Sequence, residues 1–396
     1  MIHPDPVMLW VELIFWIGVV VLLYTYVLYP AMLGLLDSGQ QKGLEPVLPA
    51  ELPLVTVLMA AYNEEDVIEK KIESVFKSDY PADRLIMWVG SDGSTDKTDE
   101  IIQGLIDRGL NVKLRKFGGR NGKSNILNAL KQEAEPGIWI PTDANIIFSS
   151  GLIPRLVSGF RNERVGIVGA EVVNSGQRSD GISIQESSYI SRENRIKARE
   201  GRLWGAMMGA FGACYAIRSE LFPSIPPNYL MEDFYITMHV LNEGYWATAD
   251  EEAICYEDVS NKVEEEFKRK IRISAGNYQN LAAWKGLLWP PSSVGFAFLS
   301  HKILRWMGPW AILACLIAAI ALALSGNLFY SLMLGALLFL LFSPILDRLL
   351  AGLGIHIRLL RFIGYFCSMN IALAVGLFKY LSGVKTNAWE PTQRNQ

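Results

Sequence analysis

The sequence predicts an α/β domain with a mainly parallel sheet, bracketed by helices that cross a membrane. Two observations carry this. Between residues 54 and 141 short apolar runs alternate with helical stretches, the pattern of parallel strands joined by covering helices. On either side of this charged centre, residues 13–36, 307–346 and 362–378 carry no charge. About 18 to 25 such residues match the hydrocarbon thickness of a bilayer when helical.

Residues 54–60, LVTVLMA, are wholly apolar or β-branched and read as the first strand, followed by a polar turn and a helical pattern over residues 64–77. Strands recur at residues 85–90, 112–116 and 138–141, and helices at 99–108 and 123–133. Ligands of such sheets sit at the carboxyl ends of the strands, where Asn63, Asp92 and Asp143 fall. Residues 181–202 are polar and basic, and a glycine-rich stretch (GAFGACYAIR) begins at Gly209, so this section is read as facing an acceptor. A helix over residues 234–242 ends at Gly244, a C-terminal cap position, and sets Asp233 at its start. After Val263, Phe267, Ile271, Tyr278, Leu281 and Trp284 recur at helical spacing with Lys268, Arg269, Lys270 and Arg272 between them. That pattern predicts a basic, aromatic helix lying at the membrane surface. Trp289, Pro290 and Pro291 break it, and a second interfacial segment ends at Arg305 and Trp306.

The uncharged stretches predict four spans, at residues 13–36, 307–324, 328–346 and 362–378, with SGN at 325–327 dividing the long run. The first lacks a basic stretch ahead of it and is too long for a leader core, so it is read as a retained anchor. The resulting plan is an anchor at 1–37, a charged domain at 38–263 that opens on a linker over residues 38–53, interfacial helices at 264–306, and membrane helices with a tail at 307–396. Basic residues beside the spans, among them Lys302, Arg305, Arg348, Arg358 and Arg361, place the charged domain on the cytoplasmic side of a multi-pass protein, read as residing in an inner membrane. One span before the domain and three after it put both termini outside, whereas Lys379, Lys385 and Arg394 favour the inside; a re-entrant or interfacial segment would reconcile the two.

Across 396 residues, 37 basic side chains against 40 acidic ones give a net charge of −3, which offers nucleic acid no general attraction. The four cysteines show no paired spacing and the four histidines no HExxH pattern, so neither a disulfide framework nor a zinc site is expected.

The chemistry-bearing motifs sit at strand ends. WIPTDAN at residues 139–145 delivers Asp143 and Asn145 into a loop, where two oxygen-bearing side chains can hold Mg2+ or Mn2+ against a diphosphate. An Asx turn at the strand end is the plainer alternative. SDGSTD at residues 91–96 places Asp92 before Gly93, whose backbone allows close approach of a flat ligand; taken alone it is an ordinary helix-capping loop. GKS at residues 122–124 lacks the P-loop glycine, because position 117 is Phe117, which argues against an ATPase. Lys123, opening a helix after Gly118, Gly119 and Gly122, reads as a nucleotide contact or as a simple first turn. MED at residues 231–233 sets Glu232 and Asp233 at a helix start, as a general base or as caps. Three acidic clusters on one α/β pattern point to an enzyme acting on a nucleotide-sugar.

AYNEE at residues 61–65, SDGSTD, GRNGKSNILNAL at 119–130, TDAN at 142–145, MED and RKIR at 269–272 follow one another in an order that resembles the family 2 glycosyltransferases. The resemblance covers residues 54–306 and is to the membrane-embedded branch of cellulose, chitin and hyaluronan synthases. It implies a glycosyltransferase-A type nucleotide-sugar-binding domain. It also implies metal-dependent, inverting hexosyl transfer from a UDP-sugar to a growing polysaccharide, or single-sugar transfer to a lipid-linked acceptor. By resemblance Asp92 meets the uracil base with Tyr62 and Glu64 close by, Lys123 contacts the nucleotide, Asp143 binds the metal, and Asn145 fills the second acidic position of the family's DxD pattern. Asp233 takes the general-base role beside Glu232, and Phe211, Gly212 and Cys214 lie where synthases rest the acceptor's terminal sugar. In the QxxRW segment Arg272 matches while Arg269 replaces the glutamine and Ile273 the tryptophan; the arginines can still clamp a diphosphate. WEPTQR at residues 389–394 resembles a C-terminal element of synthases. Expected partners are the UDP-sugar, the acceptor and membrane lipids, with an oligomer or secretion partner left open. The reading from another class is a transporter or scaffold whose domain only binds a nucleotide, for which uncharged spans leave little polar path.

Overall fold

Every residue of strand β1 (Val55–Ala61) is buried, which requires covering layers on both faces of the sheet around it. A computed structural model of the protein describes residues 6–37, 39, 51–175, 183–258 and 263–387. β1 lies between β2 (Leu85–Ser91) and, beyond β3 (Val112–Lys116) in sequence, β4 (Ile138–Thr142), and Val55 is in register with both Leu85 and Ile138. Its side chains alternate between two cores. Val57 and Met59 join Ile72, Met87 and Ile140 on one face, while Leu58 and Ala60 join Ile126, Leu130 and Trp139 on the other. Each such buried aliphatic group contributes roughly 1.5–3 kcal/mol.

The chain adds β5 (Ile146–Phe148), β6 (Val165–Ser175), β7 (Tyr215–Arg218) and β8 (Trp246–Asp258), giving one eight-stranded sheet in the order β3-β2-β1-β4-β7-β6-β8-β5. β1, β2, β3 and β4 pair in parallel, as do β6 and β8, whereas β7 runs antiparallel to β4 and β6, and β5 antiparallel to β8. The expected mainly parallel sheet is present as a mixed one. Helices Ile68–Phe76, Thr98–Asp107 and Lys123–Lys131 lie where the sequence placed them. The first starts later than residue 64, because the Glu64 N–H donates to Thr98 Oγ1 at 2.8 Å and residues 64–67 form a turn.

Among the described residues three helices are long and apolar enough to cross a membrane: Pro6–Leu36, Leu328–Gly352 and Arg358–Leu381. At the expected span over residues 307–324, helix Gly308–Leu324 has 17 residues and is long and apolar enough only together with Ser293–Trp306, from which it bends by 57°, so the described residues hold three such helices, or four if this bent pair is one span. Helix Val263–Trp284 packs on the last apolar helix, where Ser274 Oγ donates to Leu373 O at 3.0 Å and Gly376 leaves no room for a Cβ beside Ser274. Most of the expected linker (residues 38 and 40–50), residues 181–182 and WEPTQR lie outside the described residues.

Candidate active site

The loops after β1, β2 and β4 leave the carboxyl ends of these parallel strands, and two clusters of side chains form there. The first gathers round Asp92, which is fully buried and accepts from the backbone N–H of Asn121 at 2.6 Å and of Gly122 at 3.0 Å. Arg120 approaches the same carboxylate at 3.5 Å and lies 3.4 Å over the Tyr62 ring. Gly93, at φ +74, is required here, because a Cβ would stand 2.8 Å from the Gly119 carbonyl. Asp92 thus holds the loop that leads into helix Lys123–Lys131 rather than presenting an open carboxylate to a base. Glu64 is buried beside this cluster, its N–H held by Thr98.

The second cluster centres on Lys123, the first residue of its helix. Its Nζ lies 2.6 Å from Asp143 Oδ1 and 2.7 Å from Glu232 Oε1. Burial alone would draw the ammonium down, but the two carboxylates outweigh it and hold Lys123 above its ordinary range. Glu232 and Asp233 open helix Glu232–Asn242, and Asp233 is buried, with Oδ1 accepting from the Phe234 N–H at 2.7 Å. Burial, then the Glu232 charge, raise the Asp233 carboxyl to about 6, against the pull of Lys123, the Phe234 N–H and Lys197. A carboxylate raised toward neutral pH is suited to take a proton. Arg272 makes no ion pair among the described residues; burial lowers it, while Glu232, Asp143 and Asp233 favour its charge.

Asp143 is 42% exposed at its side chain and Asn145 half-buried, so both oxygens are reachable from outside. No group of three or more His, Cys, Asp or Glu able to hold a metal occurs among the described residues. The donor set fits Mg2+ or Mn2+ held by one or two side-chain oxygens, with phosphate oxygens and water completing the shell. Asp143 and Asn145 would hold it.

Gly212 packs against the general-base candidate: a Cβ there would meet Asp233 Oδ2 at 2.9 Å. Phe211 is half-buried beside it. Cys214 does not stand open as an acceptor contact, because its side chain is fully buried in the core with Cys255. Arg269 is also not an open clamp, since Glu257 and Glu266 hold it at 3.7 and 3.5 Å. Sequence reasoning missed Arg120 and Lys197; the latter sits inside the basic stretch assigned to the acceptor, without a motif to single it out.

Residues 56–224 match the family model described as glycosyl transferase family 2. The chain carries a family 2 glycosyltransferase domain. Beta-monoglucosyldiacylglycerol synthase of Synechocystis sp. is 30% identical over 161 residues, 39% of this chain and 34% of that protein. Poly-beta-1,6-N-acetyl-D-glucosamine synthase of Staphylococcus aureus is 24% identical over 237 residues, 58% of this chain and 56% of that one. The chain therefore spans between a third and a little over half the length of these relatives. The mannosyltransferase PcManGT from Pyrobaculum calidifontis, solved with GDP-Man and Mn2+, superposes with a TM-score of 0.70 at 22% identity over 94% of this chain and 99% of that one. This likeness establishes the glycosyltransferase-A fold of the family 2 domain, and it extends over the flanking helices as well as the sheet.

Proposed function

We propose that the chain is a metal-dependent inverting hexosyltransferase that moves a sugar from a UDP-sugar to a hydroxyl of a growing polysaccharide. The observation that carries the reading is Lys123 bridging Asp143 to Glu232, which sets a donor end and an acceptor end on one ammonium. Asp143 and Asn145 would hold a divalent cation, which when bound would supply positive charge against the diphosphate leaving group. Lys123 and Arg272 add fixed positive charge on that side. Asp233 takes the acceptor proton as the sugar carbon is attacked from the face opposite the leaving group, and Glu232 keeps Lys123 in place. Asp92 and Arg120 shape the nucleotide loop, with Tyr62 and Glu64 on the base side.

In this reading residues 38–263 form the catalytic unit on the cytoplasmic side of an inner membrane, residues 264–306 its interfacial support, and the apolar helices a multi-pass anchor. Transfer of a single sugar to a lipid-linked acceptor is the second reading. It is favoured by Ile273, which stands where synthases carry an aromatic residue.

The test is UDP or GDP release by the full chain in nanodiscs across UDP-sugars and GDP-mannose, with Mn2+, Mg2+ or chelator, and with chitopentaose or dioleoylglycerol as acceptor. Metal-dependent release from one UDP-sugar supports the reading, and the acceptor that accelerates it selects between the two products. Nucleotide binding without turnover of any donor would favour the scaffold alternative and overturn the transferase.

A further inference from the structure

Helix Ser183–Trp204 carries a lysine whose surroundings the donor chemistry does not explain. Lys197 is 5% exposed, and its ammonium makes no hydrogen bond or ion pair among the described residues. A buried ammonium without a partner carries a large desolvation cost. Two carboxylates on the same helix could have offset it, Glu193 one turn before and Glu200 one turn after. Both are engaged elsewhere. Glu193 is held by Lys302, by Arg305 at 2.6 Å and by His301 at 2.9 Å. Glu200 accepts from Tyr29 at 2.7 Å and from the Met208 N–H at 3.2 Å, and lies 2.9 Å from His301 Nδ1.

What Lys197 faces is the acceptor side. Its Nζ lies 3.3 Å over the Phe211 ring, and with Asn194, Met207 and Phe211 it lines a small cavity. Gly212, next along the chain, touches Asp233. Lysine, aromatic ring, glycine and base carboxylate thus follow one another through direct contacts and one peptide bond.

We infer that Lys197 is an acceptor-positioning residue, its ammonium donating to oxygens of the acceptor sugar or headgroup laid over Phe211 and Gly212 beside Asp233. The inference rests on the transferase reading above. An ammonium over an aromatic face keeps its donors free for a ligand, and the cation–π contact offsets part of the burial. Burial draws Lys197 down to about 7; Lys302 on the neighbouring helix adds to this, while Glu193, Asp233 and Glu200 oppose it. The same helix is tied through Glu193 and Glu200 to residues 293–306 and to the first apolar helix, so the membrane segments fix where Lys197 stands.

The experiment compares Lys197→Met, Lys197→Gln and Lys197→Arg in the full chain in nanodiscs. Calorimetric UDP affinity with Mn2+ reads the donor side, and acceptor KM and kcat at saturating donor read the other. Expected is UDP affinity within about twofold of wild type, acceptor KM raised about ten- to hundredfold in Lys197→Met, and partial recovery in Lys197→Arg. An unchanged acceptor KM in Lys197→Met overturns the inference, as does a fall in UDP affinity that parallels the loss of turnover. Should the methionine variant not fold, Lys197→Gln is read by the same two criteria. A wild-type chain that binds UDP yet turns over no donor removes the transferase reading and this one together; wild-type turnover with an unaffected Lys197 variant removes this one alone.

Discussion

Lys123 Nζ stands 2.7 Å from Glu232 Oε1, joining the first turns of two helices that the sequence keeps far apart. A glutamate in a first turn suits the helix dipole, whereas a lysine there opposes it. Lys123 is therefore placed for the carboxylates it meets and not for the helix it opens. Its charge is offset by Asp143 and Glu232, and through Glu232 it bears on the neighbouring Asp233.

Lys123→Met removes the strongest charge holding Asp233 down, so that carboxyl should rise above its present value of about 6. The acid limb of kcat/KM against pH should move upward, and kcat/KM at neutral pH should fall by about 100-fold as phosphate-side charge is lost. A pH–rate profile of the variant checks both; an unmoved acid limb contradicts the link between Lys123 and Asp233.

Asp233→Asn should lower turnover by about 100-fold or more while UDP affinity stays within about twofold. Stability should respond in the opposite sense. The Asp233 carboxyl is raised in the fold from 3.8 to about 6, so its protonated form is the favoured one. That contribution is complete below the ordinary value and is lost as pH rises through about 6. The asparagine variant should thus melt above wild type at about pH 8, with the difference gone near pH 4. Thermal scans at the two pH values test it.

Asp92→Ala should destabilise the domain by about 2–4 kcal/mol, since the Asn121 and Gly122 N–H groups lose a buried acceptor. Donor affinity should weaken with it, because the loop entering the Lys123 helix is no longer held. Denaturant unfolding and UDP titration of one preparation measure both; full stability with lost affinity would instead assign Asp92 to the base directly.

Gly212→Ala puts a methyl 2.9 Å from Asp233 Oδ2 in a buried setting. Displacing the base by a fraction of an ångström should slow transfer at least about tenfold, with donor binding intact. Steady-state kinetics beside UDP calorimetry decide, and equal loss of both would place Gly212 in the fold and not in the acceptor site.

β1, β2 and β4 were legible because each is buried almost throughout and so reads as a largely apolar run. β8 was not, since Trp246–Asp258 carries Asp250, Glu251, Glu252, Glu257 and Asp258 at a partly exposed position of the sheet. β6 and β7 pair with strands distant in sequence, and no local period reports that.

The sequence by itself determined the alternation of strands and helices, the apolar lengths of the flanking helices, and the residue types at the strand ends, because these depend on local pattern and composition. Only the tertiary structure decided which charges meet. It set Lys123 between Asp143 and Glu232, spent Asp92 on a loop, turned Cys214 into the core, bent the 293–324 segment, and left Lys197 facing Phe211. Pairing and burial arise from contacts between segments far apart in the chain. A residue's charge is written in the sequence, but its partner is chosen by the packing.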